Sequence, residues 1–159
     1  MIDTLCDGIG RDNVAVACVY GDFNDRKNQS ATGVLGALLK QLVAGAEPIQ
    51  EEIKGAFELA KKAVGGRALR LPEIRAMLVK SISSLRRGFI CIDALDEFLP
   101  KHRPEIWDSL HHLVRECPNL RLFITGRPQI REEVRMYFPG YPDLPALKPP
   151  RKISGNTLL

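Results

Sequence analysis

The sequence predicts an α/β fold in which a parallel sheet is sandwiched between helices, and three observations carry that prediction. Three short apolar runs rich in β-branched residues stand out at 14–20 (Val-Ala-Val-Ala-Cys-Val-Tyr), 88–93 (Gly-Phe-Ile-Cys-Ile-Asp) and 120–125 (Leu-Arg-Leu-Phe-Ile-Thr). They lack the strict alternation of a half-solvated strand, which suits strands buried on both faces of a parallel sheet. Helical periodicity lies between them, and strands alternating with helices imply right-handed parallel crossovers and a three-layer sandwich.

The elements follow in order. Over 30–43, Val34, Leu35, Leu38, Leu39, Leu42 and Val43 form an i, i+3, i+4 stripe, with Ser30 placed to cap it. A second pattern over 48–64 carries Ile49, Ile53, Phe57, Ala60 and Val64, opened by Pro48 and closed by Gly65-Gly66. A third, over 72–85, places Ile74, Met77, Leu78, Ile82 and Leu85 on one face, and a fourth, over 104–114, does the same with Ile106, Trp107, Leu110, Leu113 and Val114. A last short helix is expected over 129–137. The domain is read as 1–138; residues 139–159 open with five prolines in a dozen positions, show no periodicity, and read as a disordered tail. Residues 1–7 resemble the last turns of a helix, so the chain reads as one that begins partway through an element.

A length of 159 residues allows one core-bearing domain, and 45% hydrophobic with 26% charged residues is ordinary for a globular protein. The net charge of +4 is mild and its basic residues are scattered, so nucleic acid is not the expected partner. Cys6, Cys18, Cys91 and Cys117 form no CxxC pair and read as buried reduced thiols, in keeping with the cytoplasm. No apolar run approaches the ~20 residues that span a bilayer. His111 and His112 are adjacent, about 100° apart on a helix, and do not suggest a metal site. Trp107 reads as core or interface. Asp22 and Asp25 follow the first strand, within reach of a ligand pocket at its end, and read first as surface caps.

Chemistry gathers where the second strand ends. Ligands of open α/β sheets sit beyond the carboxyl ends of the strands, and there Ile92 runs into Asp93-Ala94-Leu95-Asp96-Glu97. An acid closing a buried strand suits a Walker B position, where a carboxylate helps to hold Mg²⁺. Acids three and four residues later, Asp96 and Glu97, are placed to orient or deprotonate a water attacking a γ-phosphate. The third strand ends in Thr125-Gly126-Arg127-Pro128, so a hydroxyl can sense that phosphate or water and Arg127 can add positive charge.

These blocks, with Val19-Tyr20-Gly21-Asp22-Phe23-Asn24-Asp25 and Leu35-Gly36-Ala37-Leu38-Leu39-Lys40-Gln41-Leu42, resemble the NACHT-type domain of fungal NOD-like receptors, also called nephrocystin-like N-terminal domains, within the STAND class of P-loop NTPases. The resemblance covers about residues 1–138. It implies a P-loop NTPase-type sheet, Mg²⁺ with ATP or GTP in the complete protein, Mg²⁺ at Asp93, water activation near Asp96 and Glu97, and phosphate sensing at Thr125 and Arg127. It further implies a nucleotide-driven switch that homo-oligomerises, with effector and repeat domains around it. Gly126 stands where the family commonly has serine, and a looser turn is expected there.

One family feature is absent: Gly-Lys-Ser or Gly-Lys-Thr occurs nowhere, so the phosphate-cradling loop and its lysine are missing. The resemblance places that loop before residue 1, together with a first strand that would lie beside the Thr125 strand, and its loss would leave an unpaired apolar edge. The chain is therefore expected to keep half of a nucleotide site and to bind nucleotide weakly. The alternative is a protein-interaction or oligomerisation module without nucleotide chemistry.

Overall fold

The computed structural model describes residues 13–21, 29–45, 55, 58 and 69–140. Three strands, β1 (Val14–Tyr20), β2 (Arg87–Asp93) and β3 (Leu120–Ile124), are joined through helices α1 (Ala31–Gly45), α2 (Leu71–Ser83) and α3 (Arg103–Glu116), and α4 (Arg131–Tyr137) closes the described chain. The sheet order is β1-β2-β3 and every pairing is parallel. In register, Cys18 partners Cys91, and Cys91 partners Phe123. The α/β architecture expected from the alternation is the one observed.

Each predicted helix that lies within the described residues forms close to its expected limits. The Ser30 hydroxyl accepts the Gly33 backbone N–H at 3.1 Å, which satisfies one of the donors left over at the start of α1. At the start of α2, the Glu73 carboxylate reaches back to the Arg70 N–H at 2.7 Å. The helix read over 48–64 falls outside the described residues except for Gly55 and Glu58, both helical. The tail from 141, the opening residues 1–12, and Asp22 and Asp25 also lie outside them.

Burial differs from the two-faced expectation. Ala15 and Ala17 in β1 and Ile90 and Ile92 in β2 are sealed, while Val16, Cys18, Phe89 and Cys91, which point the other way, are only half-buried. The physical reason is that α1, α2 and α3 pack against one another, so the sheet face toward them is the sealed one. The apolar stripes read from the sequence supply that layer: Leu35, Leu38, Leu78, Ile82, Ile106 and Leu110 are all fully buried. An apolar strand therefore records burial potential on both faces, and the described helices fill one.

The ends of the sheet are closed by side chains. Gln41 of α1 lies along the outer edge of β1, where its amide accepts the Cys18 N–H at 2.9 Å and donates to the Cys18 carbonyl at 2.8 Å. That is the pattern a neighbouring strand would supply, and it blunts the edge. At the amino ends, the Asn119 amide donates to the carbonyls of Ile82 (2.7 Å) and Leu85 (2.8 Å), tying the end of α2 to the start of β3. Among the described residues no helix is long and apolar enough to cross a membrane.

Candidate functional site

The predicted site residues lie on two adjacent strand ends. The backbone of β3 continues to pair with β2 past its last strand residue: the Thr125 N–H reaches the Ile92 carbonyl (2.9 Å), and the Leu95 N–H reaches the Thr125 carbonyl (3.0 Å). This places the Thr125 hydroxyl against Asp93, to which it donates at Oδ1. The Ala94 N–H is shared between Asp93 Oδ1 and Thr125 Oγ1, each at 3.1 Å. Asp93 and Thr125, 32 positions apart in sequence, are thus one clasp.

Ala94 sits in the left-handed region, with φ 51° and ψ 48°. The conformation turns the chain out of β2 so that Leu95–Glu97 form a 3₁₀ turn, with the Glu97 N–H bonded to the Ala94 carbonyl at 2.9 Å. A residue with a Cβ is strained there by about 1–2 kcal/mol, and glycine is not. Ala94→Gly should therefore gain about 0.5–1 kcal/mol after glycine's greater unfolded-state entropy is subtracted. Urea unfolding of the two chains measures this, and an unchanged or lower midpoint would contradict the strain.

A second cluster lies beside the clasp. The Asp96 side chain is 3% exposed, accepts the Arg127 backbone N–H at 3.0 Å, and lies 3.4 Å from the Arg127 guanidinium. Glu97, 31% exposed, meets the same guanidinium at 3.5 Å. Of the two acids, only Glu97 faces solvent to any extent. Asp96 is occupied in holding the loop after β3, and so links the two motifs physically.

Gly126 lies between Thr125 and Arg127 in that loop. A Cβ there would come within 2.4 Å of the Ile130 side chain and 3.1 Å of Asp96 Oδ1. The glycine lets the loop sit close to buried Ile130 and to the acid; the nearest obstacle is a side-chain tip, so a residue with a Cβ there needs Ile130 to shift.

Two further residues shape the site without having been predicted. Arg103, at the start of α3, donates to the Asp96 carbonyl at 3.3 Å and pairs with Glu133 of α4 at 3.0 Å. Glu133 lies thirty positions farther along, so no local pattern announces the link. Gly21 directly follows β1 and donates its N–H to the Asp93 carbonyl at 2.8 Å. A glycine at a strand end was a usable signal, although its partner was not.

Of the remaining sequence candidates, Trp107 is core, at 1% exposed. His111 stacks edge-on against Phe138 with centroids 5.8 Å apart. Among the described residues no three His, Cys, Asp or Glu side chains converge as a metal-binding group. Burial foremost, and then the Asp93 carboxylate, push the Cys91 thiol above its ordinary range, and a hydrogen bond with the Cys18 side chain opposes them.

Fold and site together define an open parallel α/β protein whose acid, hydroxyl and guanidinium groups collect beyond the carboxyl ends of neighbouring strands, the position at which such sheets receive ligands. The family model described as nephrocystin 3, N-terminal, matches residues 1–127, and the chain belongs to that family. No curated protein and no solved structure matches it.

Proposed function

We propose that this chain is the Mg²⁺- and water-facing half of a nucleotide-dependent signalling switch of the NACHT type, and that it does not bind ATP or GTP tightly by itself. The observation that carries the reading is the clasp of Asp93 and Thr125 on adjacent strand ends. Mg²⁺ takes oxygen ligands and keeps several waters, so one carboxylate with a neighbouring hydroxyl is a sufficient protein contribution. Asp93, with Thr125 beside it, would hold the ion, and the bound ion would supply charge neutralisation at the phosphates. Glu97 is the acid suited to orient a water, since it is the more exposed of the pair. Asp96 would keep Arg127 at the rim, from which the guanidinium can turn toward an anion.

The weakness of binding follows from the sequence. Backbone amides and a lysine of a phosphate loop supply most triphosphate affinity in this class, and no Gly-Lys-Ser or Gly-Lys-Thr is present. Titration calorimetry of the chain with Mg-ATP and with Mg-GTP should show no micromolar binding. Micromolar binding that disappears in Asp93→Ala would overturn the claim of incompetence while supporting the Mg²⁺ assignment.

A second reading is an interaction module, favoured by Phe123, which is 48% exposed on β3, the outer strand of the described sheet. It requires a homo-oligomer that forms without nucleotide. Sedimentation of the wild-type chain and of Phe123→Ser distinguishes the two: a nucleotide-independent oligomer lost in the variant would replace the first reading.

A further inference from the structure

Cys18 and Cys91 face each other across the edge strand β1 and the central strand β2 as a matched pair. The register of β1 and β2 makes them direct partners. Both are half-buried thiols, on the sheet face opposite Ala17 and Ile90. Adjacent strands lie about 4.8 Å apart, which puts paired Cα atoms inside the range of roughly 4.4–6.8 Å that disulfides bridge, while the Cβ atoms have to close to about 3.5–4.5 Å. Cys117 is excluded from this pair. It is buried beside Ser83 and the Val79 carbonyl of the helical layer.

We propose that Cys18 and Cys91 are an oxidisable dithiol, which hydrogen peroxide converts to a disulfide that staples β1 to β2. One sulfur attacks the peroxide, breaking the O–O bond and releasing water as its thiol proton is lost, to give a sulfenic acid. The partner sulfur then attacks that sulfenic sulfur, the S–O bond breaks, and a second water leaves with the remaining thiol proton. The peroxide is reduced by two electrons and the two thiols are oxidised by two. Parallel pairing holds the two Cβ atoms near the strand spacing of about 4.8 Å, so closure calls for side-chain rotation together with a local approach of the strands by up to about 1 Å, while the clasp of Asp93 with Thr125 lies on the other side of β2. The inference is independent of nucleotide chemistry.

The test is peptide mapping of the full chain, under non-reducing conditions, after treatment with one equivalent of hydrogen peroxide. The expected product joins the Cys18 and Cys91 peptides with the loss of two hydrogens, exceeds any other cross-link by about tenfold through proximity, and disappears with dithiothreitol. In urea the four cysteines should cross-link without that preference, and an equal preference there would show that the fold is not responsible. In Cys18→Ser, Cys91 should yield the sulfinic acid instead of an intramolecular bridge. A dominant bridge through Cys6 or Cys117 in the folded wild-type chain, or sulfinic acid at Cys18 or Cys91 without a bridge between them, would overturn the proposal.

Discussion

Trp107→Ala is expected to remove about 3–5 kcal/mol of stability and to release α4 from the body of the protein. Trp107 is 1% exposed and stacks on Tyr137, with ring centroids 5.8 Å apart and planes within 16°. Phe138 packs edge-on against it at 6.0 Å, and its indole N–H donates to Glu133 at 2.7 Å. Truncation would leave a void under α4 and strip the indole donor from Glu133. The stability of a domain this size is commonly about 5–15 kcal/mol, so the loss is a large share of the total. Trp107→Phe should cost far less, near 1–2 kcal/mol, because the ring contacts persist in part and Glu133 keeps Arg103 at 3.0 Å. Trp107 is the single tryptophan, so unfolding has to be followed by far-ultraviolet circular dichroism. A loss below about 1 kcal/mol in the alanine variant would show that α4 is not anchored through this ring.

The second large effect is expected at Gly21. A Cβ on this residue would lie 2.2 Å from the Ala94 carbonyl oxygen and 3.1 Å from the Phe98 ring. The closer obstacle is backbone, held by the left-handed turn at Ala94 and by the Glu97 N–H, so it cannot rotate aside. Gly21→Ala should cost about 3 kcal/mol, the upper end for overpacking, and should disturb the Asp93 turn as β1 is pushed off. The double variant Gly21→Ala with Ala94→Gly separates two causes. Since the collision is with a carbonyl and not a side chain, relief of strain at Ala94 should not restore the lost stability. Thermal unfolding of the four chains measures it, and full rescue would mean that the clash at Ala94 is absorbed by backbone movement.

Much of this fold was legible in local sequence, because the relevant physics is local. Leu35, Leu38 and Leu39 recur at helical spacing and are buried, and Ser30 caps α1 because a hydroxyl at a helix start meets an N–H left without an intrahelical partner. The strand runs were equally plain. The unequal burial of their two faces was not legible, since Val16 and Phe89 are as apolar as their neighbours and, among the described residues, only the placement of α1, α2 and α3 distinguishes the faces. What Gly126 packs against was hidden for a related reason. A glycine after a strand resembles a flexible joint until the Ile130 side chain is seen to occupy the space of its missing Cβ.

By itself, then, the sequence determined the order of strands and helices, the stripes that form the core, and the position of an acid at one strand end and a hydroxyl at another. Those follow from periodicity and residue type, which act over a few neighbouring positions. Tertiary structure alone decided which residues meet. Parallel register joined Asp93 to Thr125 and Cys18 to Cys91, and closure of the loop after β3 buried Asp96 against Arg127 while leaving Glu97 partly open. The adjacent acids Asp96 and Glu97 are near-equivalents in the sequence, and they differ because only one of them sits under the neighbouring strand's loop, where solvent is excluded and a backbone N–H takes its place.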